Sequence, residues 1–194
     1  DSRKRRMPAW FNRLQIIDST TISLFSNLIF KGVGRHPKTG KKKGGIKVHT
    51  NIHANEFVPF DIKFTSAATN DSFMLKPANY NDGDIIAMDR AYIDYARFEE
   101  LTNRGVTYVT KMKKNLVYDT LSDTMYMLPC GLMECRVQVV EFRKHIKGGE
   151  NIKHKARIVT YVDPAKKKAK VISLLTNDMT MEVEDIIDIY RQRW

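Results

Sequence analysis

Two aspartates carry the clearest chemical signal in this chain. Asp18 follows Ile16-Ile17 in an apolar, β-branched run, and Asp89 ends the run Ile85-Ile86-Ala87-Met88. A carboxylate among dry strand residues costs several kcal/mol unless it is paired or holds a metal. Carboxyl ends of sheet strands are also where ligand sites form in α/β proteins. Two such acids on neighbouring strands would make a hard-oxygen pocket suited to Mg²⁺ or Mn²⁺. The ordinary alternative is that Asp18 marks a strand end and caps a turn through Ser19 and Thr20.

Positioning these residues requires a sheet. Leu14 to Ile22 is predicted as a strand buried on both faces. Ile46 to Ala54 and Val58 to Thr65 follow as two strands joined at Asn55-Glu56. His49 and His53 share a strand face about 13 Å apart, too far to chelate together, and are read as structural or surface residues. After Asn70-Asp71-Ser72 a short helix is expected to run to about Pro77. The strand ending in Asp89 leads to a helix over Asp94 to Asn103, with Tyr95, Phe98 and Leu101 on one face and Gly105 as its stop. Val106 to Thr110 closes a βαβ unit, so these two strands should be parallel neighbours. Beyond Lys113 the texture changes to short β-rich runs: Arg136 to Arg143, Ala156 to Val162 and Val171 to Thr176. They read as an antiparallel insertion. A last helix, capped by Thr180, carries Val183, Ile186, Ile187 and Tyr190 at helical spacing. The expected organisation is therefore a linker over 1–13, a core over 14–112, the insertion over 113–177 and the start of a final helix over 178–194.

Charge narrows the partner. Of 194 residues, 33 are Lys or Arg and 22 Asp or Glu, a net charge of +11. Clustered bases at this level fit a phosphate-backbone binder, and equally a basic but ordinary enzyme. The segment from Lys31 to Gly45 holds six bases and six Gly or Pro residues with no acid, the texture of a basic loop. Such a loop either contacts phosphate or is simply solvated surface. Cys130 and Cys135 are too few for a disulfide scaffold, fit a reducing compartment and are read as buried or spare thiols. No apolar run approaches the roughly 18 residues of a membrane helix, and no secretory signal pattern is present. The sequence reads as a fragment cut at both ends.

Several strings, in order, carry a family resemblance: Ile17-Asp18-Ser19-Thr20, Gly45-Ile46-Lys47-Val48-His49, Asn70-Asp71-Ser72 and Met88-Asp89-Arg90-Ala91-Tyr92. Together with the element order they resemble the catalytic domain of DDE-type insertion-sequence transposases of the IS4 group. The resemblance covers about Leu14 to Trp194 and implies an RNase H-like fold, a mixed five-stranded sheet with flanking helices, carrying a β insertion before the last helix. That group also has a Tyr-x-x-Arg-x-x-x-Glu-x-x-x-x-x-x-Lys signature, whose spacing keeps its four side chains within roughly 60° of one helix face. Tyr190 and Arg193 match its first two positions, and the Glu would stand four residues after Arg193.

The implied activity is phosphoryl transfer on DNA with two divalent ions, Mg²⁺ or Mn²⁺. Asp18 would bridge both ions and Asp89 would hold one of them. Lys41, Lys42, Lys43, Lys47, Arg90, Tyr190 and Arg193 are the expected DNA contacts, Arg90 alternatively pairing with an acid such as Asp94. Expected partners are transposon-end and target DNA, bound by a dimer, with no membrane association, in the cytoplasm and nucleoid of a bacterium. The 194-residue piece should bind DNA in a salt-dependent way without strand transfer. If it proved active, Glu182 or Glu184 would be the first suspects for the third acid. The rival readings are another RNase H-like nuclease, such as a resolvase, and a non-catalytic nucleic-acid-binding module.

Overall fold

The computed structural model describes residues 7–23, 45–128, 134–146, 148–163 and 170–194. Nine strands form one continuous sheet in the order β3-β2-β1-β4-β5-β9-β8-β7-β6. They are β1 (Leu14–Ser23), β2 (Gly45–His53), β3 (Val58–Ser66), β4 (Ile85–Met88), β5 (Thr107–Lys111), β6 (Asp119–Met127), β7 (Glu134–Lys144), β8 (Ile152–Asp163) and β9 (Lys170–Thr176). β1 and β4, and β4 and β5, run parallel, whereas every other pair is antiparallel.

β4 and β5 are parallel neighbours across helix α1 (Tyr95–Asn103), as the βαβ reading expects. The sheet does not stop there. β9 pairs with the outer edge of β5, Val109 opposite Thr176, and β8, β7 and β6 extend the sheet outward. An unpaired β5 edge would leave a row of backbone groups without partners, and β9 satisfies them. Nine strands rather than five is therefore a correction to the sequence reading. β6 was missed because it is an edge strand exposed almost throughout, and its sequence Asp119-Thr-Leu-Ser-Asp-Thr-Met-Tyr-Met127 lacks the apolar pattern of a core strand.

The central strands are dry on both faces because a helix covers each. Ile85 and Ala87 of β4 face one cluster with Leu174, Ile186 and Tyr190; Ile86 and Met88 face the other with Phe98, Leu101 and Tyr108. Helix α2 (Val183–Arg191) packs on the first face, where Trp10 Nε1 donates to Asp185 Oδ1 at 2.8 Å. α1 covers the second face, and the Phe98 and Tyr108 rings stack with centroids 3.9 Å apart. Asp94 caps α1 by accepting from the backbone N–H groups of Ala96 and Arg97, and Gly105 ends it in a left-handed conformation at φ +70°.

Three further expectations change. β1 is buried only over Leu14 to Ile17, the stretch paired with β4, and emerges from Asp18 onward where it outruns β4. The helix after Asn70 is two 3₁₀ turns, Asp71–Met74 and Pro77–Asn79, because Pro77 disfavours a helical Lys76. Asn70 still caps the first, accepting from Ser72 N at 3.2 Å. Thr180 does not cap α2; the Asp178 carboxylate accepts from Thr180 N and Met181 N in the preceding turn.

One buried polar cluster ties α1 to the sheet. His154 of β8 is fully buried, with Nε2 2.6 Å from the Tyr108 hydroxyl and Nδ1 2.8 Å from Glu99 Oε2. A neutral ring protonated at Nδ1 satisfies both contacts, donating to Glu99 and accepting from Tyr108. Burial pushes the His154 pKa below 6.5, with Glu99 pulling the other way, and burial also lowers His49. The unfolded chain then binds more protons than the folded one below about pH 6.5, so stability is lost as the pH falls through that value. Each group contributes at most about 1.4 kcal/mol per pH unit. Urea midpoints compared between about pH 7.5 and pH 5 should fall, and His154→Gln should reduce that fall; an unchanged slope in the variant would remove His154 from the effect.

Candidate active site

Asp18 and Asp89 are brought together by strand register. The parallel β1–β4 pairing ends at Ile17 opposite Met88, so the next residue on each strand is one of the two aspartates. Asp18 Oδ1 accepts from Ser19 N at 2.9 Å, and Asp89 Oδ1 accepts from Ala91 N at 2.9 Å, where Asp89 caps a single 3₁₀ turn.

Arg193 joins them. Its guanidinium nitrogens lie 3.2 Å from Asp18 Oδ1 and 3.7 Å from Asp89 Oδ2. The planar fork has fixed dimensions, so the two carboxylates stand within roughly 9 Å of each other. The Arg193 side chain is 2% exposed, against 51% for Asp18 and 38% for Asp89. The cation is thus seated beneath two acids that still face solvent. Arg193 also donates to the Tyr190 hydroxyl at 3.4 Å and lies over the Tyr190 ring at 5.6 Å. Burial, chiefly, raises the Tyr190 pKa, so the phenol keeps its proton at neutral pH. Tyr190 is in the last turn of α2, whereas Arg193 lies just past its end.

The half-exposure of Asp18 corrects the reading of a carboxylate buried inside a dry strand: it sits where β1 emerges from the sheet. Its pairing comes from a residue 175 positions away. Arg90 is exposed beside Asp89, and Asp94 instead faces Lys144 at 3.7 Å. A cleft of about 620 Å³ opens here, lined by Asp89, Arg90, Lys111, Lys170, Tyr161 and Tyr190 among others.

The other expected residues divide. Lys47 is 12% exposed, 3.0 Å from Asp71 and donating to the Thr69 carbonyl at 2.8 Å, so its charge is already compensated within the fold. Beside it His49 is buried between the Tyr92 and Thr65 hydroxyls, and His53 stacks on Phe60 at 4.1 Å. Lys41, Lys42, Lys43 and Cys130 lie outside the described residues; Cys135 is buried. Glu182 and Glu184 stand near Tyr126, whose phenol their charges push up. Among the described residues no group of three or more His, Cys, Asp or Glu is placed to hold a metal. Lys111 and Lys170 were missed as cleft residues. The sequence signals were the acid-free runs Lys111-Met-Lys-Lys114 for the first and Lys166-Lys-Lys-Ala-Lys170 for the second; sequence distance hid that the two residues meet.

Similarities to known proteins point the same way as this geometry. The family model described as "Transposase DDE domain" matches residues 9–194. A curated relative from Geobacillus stearothermophilus, "Probable transposase for insertion sequence element IS5377", is 23% identical over 193 residues, covering 93% of this chain and 45% of the relative. The chain thus spans less than half the length of that relative. The fold is similar to that in a cryo-EM structure of the piggyBac transposase synaptic complex with hairpin DNA, with a TM-score of 0.50 and 14% identity over 93% of this chain and 38% of that one. With the family match running through nearly every residue described above, this chain belongs to the transposase DDE domain family.

Proposed function

We propose that this chain is the catalytic part of an insertion-sequence transposase of the IS4 group, cutting DNA at the element's ends and joining it to a target. The observation that carries this reading is the meeting of Asp18 and Asp89 on one guanidinium at the ends of paired parallel strands. The strand order β3-β2-β1-β4-β5, with α1 crossing between β4 and β5, supports an RNase H-like core over 14–112, with 113–177 as the β-rich insertion and 178–194 leading into the final catalytic helix.

The donor set fits a divalent cation. Two half-exposed carboxylates on rigid strand ends offer hard oxygen ligands, and they already share a positive partner. Asp18 and Asp89 would hold Mg²⁺ or Mn²⁺, two ions in the complete site, the third acid being a Glu four residues after Arg193 on the family spacing. Ions held there would supply activation of the attacking hydroxyl and charge neutralisation on the leaving oxygen. The chain's own groups position the phosphate: Arg90 and Arg193 by charge, Tyr190 as a protonated hydroxyl able to donate. Lys41, Lys42 and Lys43 remain assigned to DNA on charge alone, whereas the Asp71 contact favours a structural role for Lys47. Transposon-end and target DNA are the proposed substrates, held by a dimer so that two ends are paired, in the bacterial cytoplasm.

The test is metal-dependent cleavage followed by joining. The complete protein, incubated with a plasmid carrying the element and either Mg²⁺ or Mn²⁺, should release the element and insert it elsewhere. Cleavage without joining would favour a nuclease on the same fold, and metal-independent activity would overturn the carboxylate mechanism.

A further inference from the structure

The parallel β1–β4 ladder ends one residue short of both aspartates, so the pairing of those two strands leaves their separation open. Asp18 is fixed to β2 instead, because β1 stays paired with β2 as far as Ser23. Asp89 is fixed to the 3₁₀ turn Arg90–Tyr92, which it caps. What joins β2 to that turn therefore helps to set the distance between the two carboxylates. The Arg193 guanidinium bridges their side chains, but a divalent cation at the pair would have to displace it.

A second tie lies beneath. Tyr92, the last residue of the turn, is fully buried, in one apolar cluster with Ile17 and Met88, the residues just before each aspartate. Its hydroxyl stands 3.1 Å from His49 Nδ1 on β2, and the Ser19 side chain hydrogen-bonds it as well. Ser19 follows Asp18 and is the residue opposite His49 in the β1–β2 pairing. His49 is itself held: Nε2 lies 2.9 Å from Thr65 Oγ1 on β3, and Asp71, paired with Lys47, stands 3.7 Å from Nδ1. One phenol thus joins the Asp89 turn to both β1 and β2. Such a bond keeps its geometry because breaking it strands a polar group away from water. We infer that Tyr92 and His49 are positioning residues, holding Asp89 at the distance from Asp18 that a shared divalent cation requires once Arg193 gives way. This inference rests on the metal reading of the Asp pair. It gives the Gly45-Ile46-Lys47-Val48-His49 string a task other than DNA contact: bracing the site from below, with His49 and Tyr92 both shut away from solvent.

The experiment is Mn²⁺ titration of the complete protein by electron paramagnetic resonance, beside end-cleavage kinetics and a thermal melt. Tyr92→Phe removes one hydroxyl and keeps the ring. It should weaken Mn²⁺ binding about tenfold and lower kcat by about as much. KM for the DNA end should stay unchanged, because the phenol is out of the DNA's reach. Tyr108→Phe is the matched control: it removes another fully buried hydroxyl of the same cluster, the one 2.6 Å from His154. It should lower the melt by a similar few degrees, yet leave Mn²⁺ affinity within about twofold of wild type. His49→Asn keeps a polar group near the place of Nδ1 and should retain most of the affinity. His49→Ala should lose about as much as Tyr92→Phe, and the double variant no more than either single one, since all act through one bond. Wild-type Mn²⁺ affinity in Tyr92→Phe, or an equal weakening by Tyr108→Phe, would overturn the positioning role, as would a change confined to KM. Mn²⁺ binding that Asp18→Ala leaves unaltered would fail the metal reading itself. Binding that depends on Asp18 but ignores Tyr92→Phe fails the positioning role alone.

Discussion

Asp18→Ala and Asp89→Ala, each made in the complete protein, are expected to lower end cleavage by at least about 10³-fold while leaving the fold intact. The size follows from the work proposed for the site. In phosphoryl transfer the protein contributes positioning and charge stabilisation, and a missing ligand leaves a cation misplaced. The fold should survive because both side chains are half exposed, one on the emerging part of β1 and the other past the end of β4, and neither fills the core. Cleavage of a labelled end in Mg²⁺, beside a thermal melt of each variant, checks both halves of this prediction. Substantial cleavage retained by either variant would remove that carboxylate from the site.

Arg193→Ala should act in the opposite direction on metal. A cation that binds Asp18 and Asp89 competes with a guanidinium already within 4 Å of both. Without it the two acids repel each other, and Mn²⁺ should bind about tenfold more tightly, equivalent to about 1.4 kcal/mol. The metal-free chain should meanwhile melt a few degrees lower. Breaking a fully buried pair costs about 3–5 kcal/mol, but both carboxylates here are well exposed, which discounts the loss to about 1–2 kcal/mol. Lost packing of the guanidinium over Tyr190 contributes to the same fall. Manganese titration followed by electron paramagnetic resonance, with calorimetry in chelator, measures the two effects separately. Weaker Mn²⁺ binding in the variant would show that Arg193 builds the metal site rather than competing for it.

The contrast between Asp18 and Lys47 shows how far the sequence could be read. Asp18 was picked out by its place in an apolar strand, and Lys47 as an expected DNA contact in a basic segment. The structure brings Asp18 to Asp89 and Arg193, and gives Lys47 to Asp71. Nothing in the strings around Gly45 or Asn70 states that pairing, because it depends on the 3₁₀ turn at Asp71 packing beside β2. Thr180 failed for a related reason: its local capping signal was real, but Asp178 supplied the competing acceptor two residues earlier.

The sequence by itself determined the alternation of β4 between two cores, the βαβ unit with its Asp94 cap and Gly105 stop, and the presence of an acid directly after the apolar runs of β1 and β4. These are local properties, set by side-chain period, capping chemistry and backbone freedom over a few residues. Only the tertiary structure decided that four more strands continue the sheet, that Arg193 seats itself between the two aspartates, and that Lys111 of β5 and Lys170 of β9 line one cleft. Those outcomes follow from unpaired strand edges finding partners and from charges meeting across long sequence separations. Both depend on register and topology, which no stretch of a few residues encodes.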